Sequence, residues 1–171
     1  MLFFNKKLAG FTVMELMVST FIITLISGIF LANYHSTNKR SELILVAQKL
    51  VSNIRLMQVN SLGAVELANE VPEGGWGVHF NQGYSNYIIF ADIDGDYIYD
   101  GNEEYKTISL PGNIIINSID IGNSADIVFA PPDPITYINT DPVTNVRIEL
   151  TDGESSKTIE VNFLGLIDMV D

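Results

Sequence analysis

Apolar and polar positions are distributed very unevenly along this chain. From Phe11 to Tyr34 the sequence is almost wholly apolar. At about 1.5 Å per residue, a helix over that stretch would be on the order of 36 Å long, enough to cross a hydrocarbon layer of about 30 Å. Beyond it the period becomes helical and amphipathic. Leu43, Ala47, Leu50, Ile54 and Met57 recur at a 4-3-4-3 spacing, while Gln48, Lys49, Ser52, Asn53 and Arg55 occupy the other faces. No Pro or Gly interrupts residues 32–62, and Gly63 is a natural stop, so one long helix is predicted from Thr12 to Leu62. The alternative is two helices broken between Asn33 and Asn38.

After Val65 the period shortens towards two. Strands are predicted at Trp76–Phe80, Asn86–Ala91, Tyr105–Leu110, Ile114–Ile119, Asp126–Ala130, Asn145–Leu150 and Lys157–Asn162. Turn-forming residues separate them, among them Glu73-Gly74-Gly75, Pro111-Gly112-Asn113 and Asp152-Gly153. Pro131, Pro132, Pro134 and Pro142 mark an irregular connection rather than a central strand. The fold class expected is α+β, an N-terminal helix packed on an antiparallel sheet. Four segments follow: residues 1–10, the apolar helix 11–34, its amphipathic continuation 35–63, and a β-rich head 64–171.

Charge narrows the function classes. Past Asn60 there are three basic residues, Lys106, Arg147 and Lys157, against nineteen acidic ones, a net of −16. A nucleic-acid partner is therefore not expected, because backbone binding needs clustered Lys and Arg. Anionic lipid headgroups are repelled as well, so only the N-terminal helix should meet a membrane. The chain has no cysteine, which removes disulfides, Cys-ligated zinc and thiol nucleophiles. It has no G-x-S-x-G elbow, P-loop or dinucleotide fingerprint. Its two histidines, His35 and His79, are read as structural. No enzyme is expected.

Two features stand out. Glu15 places a carboxylate inside the apolar run, at a cost of a few kcal/mol on insertion scales. A small-residue pair, Ala9-Gly10, stands before the apolar run instead of after it, and follows Lys6-Lys7. An ordinary secretory signal is cut beyond its apolar segment and loses it. A cut at Gly10 would keep the helix and place a new amine on Phe11, about one helical turn from Glu15.

The run Lys6-Lys7-Leu8-Ala9-Gly10-Phe11-Thr12-Val13-Met14-Glu15-Leu16 resembles the class III prepilin signal of type IV pilins and type II secretion pseudopilins. The resemblance implies cleavage between Gly10 and Phe11 by a prepilin peptidase, N-methylation of Phe11, and a role for Glu15 in subunit register during assembly. It also implies a stem-and-head subunit, a single-pass position in a bacterial inner membrane and an exported head. Its partners would be other pilin or pseudopilin subunits and an inner-membrane assembly platform. Ala32 stands where major pilins often carry a helix-kinking Pro, and their C-terminal cysteine pair is missing, which favours a minor pilin or pseudopilin. The head is similar to the pseudopilin H (GspH/FimT-type) group through Leu50, Arg55, Trp76-Gly77-Val78, Val128-Phe129-Ala130-Pro131 and a closing hairpin ending in Gly165. The basic residues with which some of that group bind DNA are missing.

One dense constellation remains. From Asp92, the carboxylates Asp92, Asp94, Asp96, Asp100 and Glu103 fall at positions 1, 3, 5, 9 and 12 of the spacing used by EF-hand calcium loops. Ca2+ is the cofactor this pattern suggests, although Tyr97 stands where that loop needs a glycine. The alternative is a solvated acidic connection. Two rival functions accompany the filament-subunit reading: a membrane-anchored, calcium-dependent ligand-binding module, and an anchored enzyme.

Overall fold

The structure is a computed structural model in which residues 10–132 and 135–170 are described, residues 32–38 by backbone alone. The expected leader residues 1–9, Pro134 and the side chain of His35 lie outside the described residues. Helix α1 is Val13–Leu62, followed by nine strands: β1 Gly75–Asn81, β2 Asn86–Asp92, β3 Glu104–Ser109, β4 Ile115–Ile119, β5 Ser124–Ala130, β6 Ile135–Ile138, β7 Val146–Thr151, β8 Ser156–Val161 and β9 Ile167–Val170. The chain divides into two compact units, Met1–Lys39 and Arg40–Asp171.

Within Arg40–Asp171 the strands form two antiparallel sheets rather than the single one expected. Their orders are β3-β2-β1-β5-β6 and β4-β7-β8-β9. The seven expected strands all form, with ends within two residues of those predicted. Two short strands were not expected. β6 lies in the proline-rich connection, and its position at a sheet edge suits a segment flanked by prolines, which cannot donate to a ladder. β9 closes the chain against β8, with Val161 opposite Ile167.

The helical stripe forms one wall of the core. Leu43, Ala47, Leu50, Ile54 and Met57 are all buried. They meet Trp76, Val78, Phe80, Ile89, Ile127 and Phe129 of the first sheet, and Ile148, Leu150, Ile159 and Val161 of the second. These are alternate positions along β1, β5, β7 and β8, so each of these strands turns one face towards the helix. Polar bonds tie the helix to both sheets. Asn53 Nδ2 donates to the Tyr87 hydroxyl at 2.6 Å, Ser61 Oγ accepts from the Trp76 amide at 2.7 Å, and Arg55 donates to the Ile167 carbonyl at 2.9 Å. β1 begins at Gly75, whose φ of 101° lies in the region glycine favours and where a Cβ would strike the Phe129 carbonyl. That close approach admits Trp76 to the end of α1, where its indole N–H donates to the Val65 carbonyl at 3.0 Å.

Candidate functional site

The first candidate is the start of α1. The segment Val13–Leu31, 19 residues, is long and apolar enough to cross a membrane, and none of it is buried within the protein. A helix in hydrocarbon must satisfy its own polar groups. Here the side chains do so with local backbone: Ser19 Oγ donates to the Glu15 carbonyl at 2.6 Å, and Thr20 and Thr24 donate to the carbonyls four residues earlier at 2.9 and 2.7 Å.

Glu15 is engaged in the same local way. Thr12 immediately precedes the helix, and its amide and hydroxyl both donate to Glu15 Oε2 at 3.2 Å. The Glu15 amide donates back to Thr12 Oγ1, also at 3.2 Å. This is a reciprocal capping box over T-x-x-E, in which each side chain satisfies an amide that the helix start leaves without a carbonyl. The T-x-x-E spacing is a helix-start signal from which the box could have been found in the sequence. The box also places the carboxylate at the N-terminal end of the helix. Among the described residues no other group bonds to it, so it remains able to accept from an amine. Gly10 and Phe11 stand outside the helix and are exposed.

The second candidate is the acidic loop between β2 and β3. It lies over the outer face of the first sheet, held there by two tyrosines. Tyr97 stacks on Tyr137 of β6 with ring centroids 3.8 Å apart and planes 3° apart. Tyr99 packs on His79 of β1 at 4.7 Å and edge-on to Phe90 of β2 at 5.3 Å. His79 is satisfied beneath it. Its Nδ1 lies 2.6 Å from Asp126 Oδ1 and its Nε2 lies 2.8 Å from Asn81 Nδ2, so both ring nitrogens have a partner. The structural reading of His79 rests on these bonds.

Of the five carboxylates in the expected cation set, three converge. Oxygens of Asp92, Asp94 and Asp96 lie within 4.8 Å of one another. Asp100 and Glu103 are not part of that group. Glu103 is buried and braces the loop from inside, with Oε1 accepting from the Ile93 amide at 2.8 Å and Oε2 from the Asp100 amide at 3.1 Å. Asp92 is fully buried, and its two oxygens accept from the Gly95 and Tyr97 amides at 2.8 and 2.9 Å. Burial pushes its carboxyl up to about 6, against the pull of those two amides, and the charges of Glu103 and Asp96 push the same way.

Tyr97 adopts φ 64°, a left-handed conformation uncommon for a residue with a side chain. A sharp turn therefore exists where the sequence lacked the expected glycine, and the Tyr137 stack and the Asp92 carboxylate hold it. Burial raises the Tyr97 hydroxyl above its ordinary value, and the hydrogen bond with Tyr137 adds to this. Chemically, the loop offers hard oxygen ligands at Asp92, Asp94 and Asp96, the kind a divalent cation takes.

No protein-family model matches this chain, and no curated protein matches it in sequence. Among solved structures it is similar to the crystal structure of the type IV minor pilin FimU from Pseudomonas aeruginosa strain PAO1. Identity is 6%, with 75% of this chain and 93% of that chain covered and a TM-score of 0.48. A likeness that faint has no bearing on what this chain does.

Proposed function

We propose that this chain is a structural subunit, a minor pilin or pseudopilin, of a filament of the type IV pilus or type II secretion class. The observation that carries the reading is Glu15. It is an acidic residue in an exposed apolar helix, one turn from Phe11, with its carboxylate held by Thr12 and still able to accept from an amine. Cleavage between Gly10 and Phe11 by a prepilin peptidase creates that amine, which N-methylation leaves cationic. An assembly platform in the inner membrane then moves the apolar helices from lipid into a bundle with other subunits. There the Glu15 carboxylate meets a neighbour's Phe11 amine, and the ion pair offsets the desolvation of both groups. The head stays on the exported side.

Substituting Glu15 tests this. Glu15→Gln keeps an oxygen for the cap and removes the charge. The expected result is normal membrane insertion with loss of the subunit from sheared filaments, and Glu15→Ala should behave the same way. Wild-type incorporation of Glu15→Gln would remove the ion-pair role.

A second reading, an anchored calcium-dependent binding module, rests on the convergence of Asp92, Asp94 and Asp96. The two readings are compatible, since one concerns the helix and the other the head.

A further inference from the structure

Past the end of α1 the chain makes a tight reversal. The Leu67 amide donates to the Glu70 carbonyl at 2.8 Å, and the Glu70 amide donates back to Leu67 at 3.1 Å. Ala68 and Asn69 between them have φ of 54° and 73°. A two-residue turn of this hand normally uses Asn-Gly, so Ala68 is held in a conformation its Cβ disfavours. The reversal is one wall of a hollow of about 270 Å³. Leu67, Val71, Pro72 and Ile93 supply its apolar lining, and Glu70 and Glu73 its charges. Val71 and Ile93 are 46% and 48% exposed.

The acidic loop packs beside this hollow, since a Cβ on Gly95 would lie 3.4 Å from Glu73 Cγ. Between Gly63 and Glu104 the chain carries nine carboxylates and neither lysine nor arginine. The surroundings are therefore of one sign, around an apolar recess large enough for a side chain. That charge selects the occupant. The head of a second copy does not supply it, because the pairs Lys6-Lys7 and Lys39-Arg40 lie before the head, and past Arg40 no two basic residues lie within five positions of one another. Two of them are also engaged, Arg147 with Glu160 and Arg55 with the Ile167 carbonyl.

We propose that this hollow docks a different protein chain, one presenting a large apolar side chain flanked by lysine or arginine. The apolar residue enters between Val71 and Ile93, and the flanking cations face Glu70, Glu73 and the exposed Asp94 and Asp96. Attraction from the acidic surroundings speeds encounter, and the recess selects among basic partners.

The test uses the full chain in an uncharged detergent and two dye-labelled peptides, Lys-Lys-Phe-Lys-Lys and Lys-Lys-Ser-Lys-Lys, read by fluorescence anisotropy at low salt. The phenylalanine peptide should bind about tenfold more tightly, from burial of part of its ring. Both should weaken at 0.5 M salt. Val71→Ser and Ile93→Ser, at half-exposed positions and checked by melting temperature, should bring the two peptides to equal affinity. Leu45→Ser, in a separate apolar hollow beside Tyr87, should leave the tenfold ratio intact. Equal affinities for the two peptides in the wild type would overturn the proposal, as would an equal loss in Leu45→Ser or no binding at millimolar peptide.

Discussion

Asp92 should make the head less stable as pH rises through the mildly acidic range. Its folded value, about 6, lies above the 3.8 of an ordinary aspartate. A raised carboxyl stabilises the fold relative to its ionised form when protonated, so its contribution is fully present below 3.8 and is lost as pH climbs through 6. From the two values, its cost is about 3 kcal/mol at pH 7 and about 1.6 kcal/mol at pH 5. Lowering the pH from 7 to 5 should therefore return at most about 1.3 kcal/mol, or about 3–5 °C in melting temperature for a head of this size. Asp141 and Glu149 shift the opposite way, lowered by their hydrogen bonds to Thr144 and Asn117, and lose their contribution only below this window. The histidines are common to wild type and variant and cancel in the comparison. The assay is thermal unfolding of wild type and Asp92→Asn at pH 5 and pH 7 with chelator present. The variant keeps one acceptor for the Gly95 and Tyr97 amides and loses the titration, so its difference between the two pH values should be smaller by about 1 kcal/mol. Identical differences in the two proteins would refute the reasoning and show that water reaches the carboxylate.

Three further outcomes follow from the same geometry. Millimolar calcium at pH 7 should raise the melting temperature of the wild type and have a smaller effect on Asp92→Asn; no heat in calorimetry and no shift in melting would end the cation reading. Gly77→Ala would place a Cβ 2.6 Å from Phe90 Cζ and 2.9 Å from the Ile127 carbonyl, and should cost about 1–3 kcal/mol in urea unfolding, so an unchanged midpoint would show that Phe90 moves freely. Ile54→Ala removes a fully buried side chain at the junction of α1 with both sheets and should cost about 2–5 kcal/mol by the same measurement.

Local pattern made much of the head legible. The helix stripe from Leu43 to Met57 is buried as its spacing implied, because a 3.6-residue period leaves few other ways to pack five apolar residues. The seven expected strands formed because alternation and Gly or Asn turns act over a few residues. The division into two sheets depends on pairings between distant strands, such as β4 with β7 and β1 with β5, for which a single sequence carries no local signal. β6 and β9 are four residues each, too short for alternation to identify them, and β6 also lies between prolines. In the acidic loop the spacing exposed the carboxylates, but not that Glu103 would turn inward to brace the loop while Asp92, Asp94 and Asp96 converged. The tyrosine stack that holds Tyr97 left-handed joins residues forty positions apart, so the missing glycine could not be reconciled from sequence. At the helix start the reverse holds. Thr12 and Glu15 are three residues apart, and their reciprocal bonds follow from that spacing alone.

The filament-subunit reading turns on what happens between Gly10 and Phe11. Intact-mass and peptide-level mass spectrometry of the membrane-extracted protein, expressed with a prepilin peptidase, reads this directly. The account predicts a chain beginning at Phe11 with one added methyl group on its amine, and the apolar helix retained. A chain that keeps residues 1–10 in the presence of an active peptidase, or one cut beyond Tyr34, would contradict it.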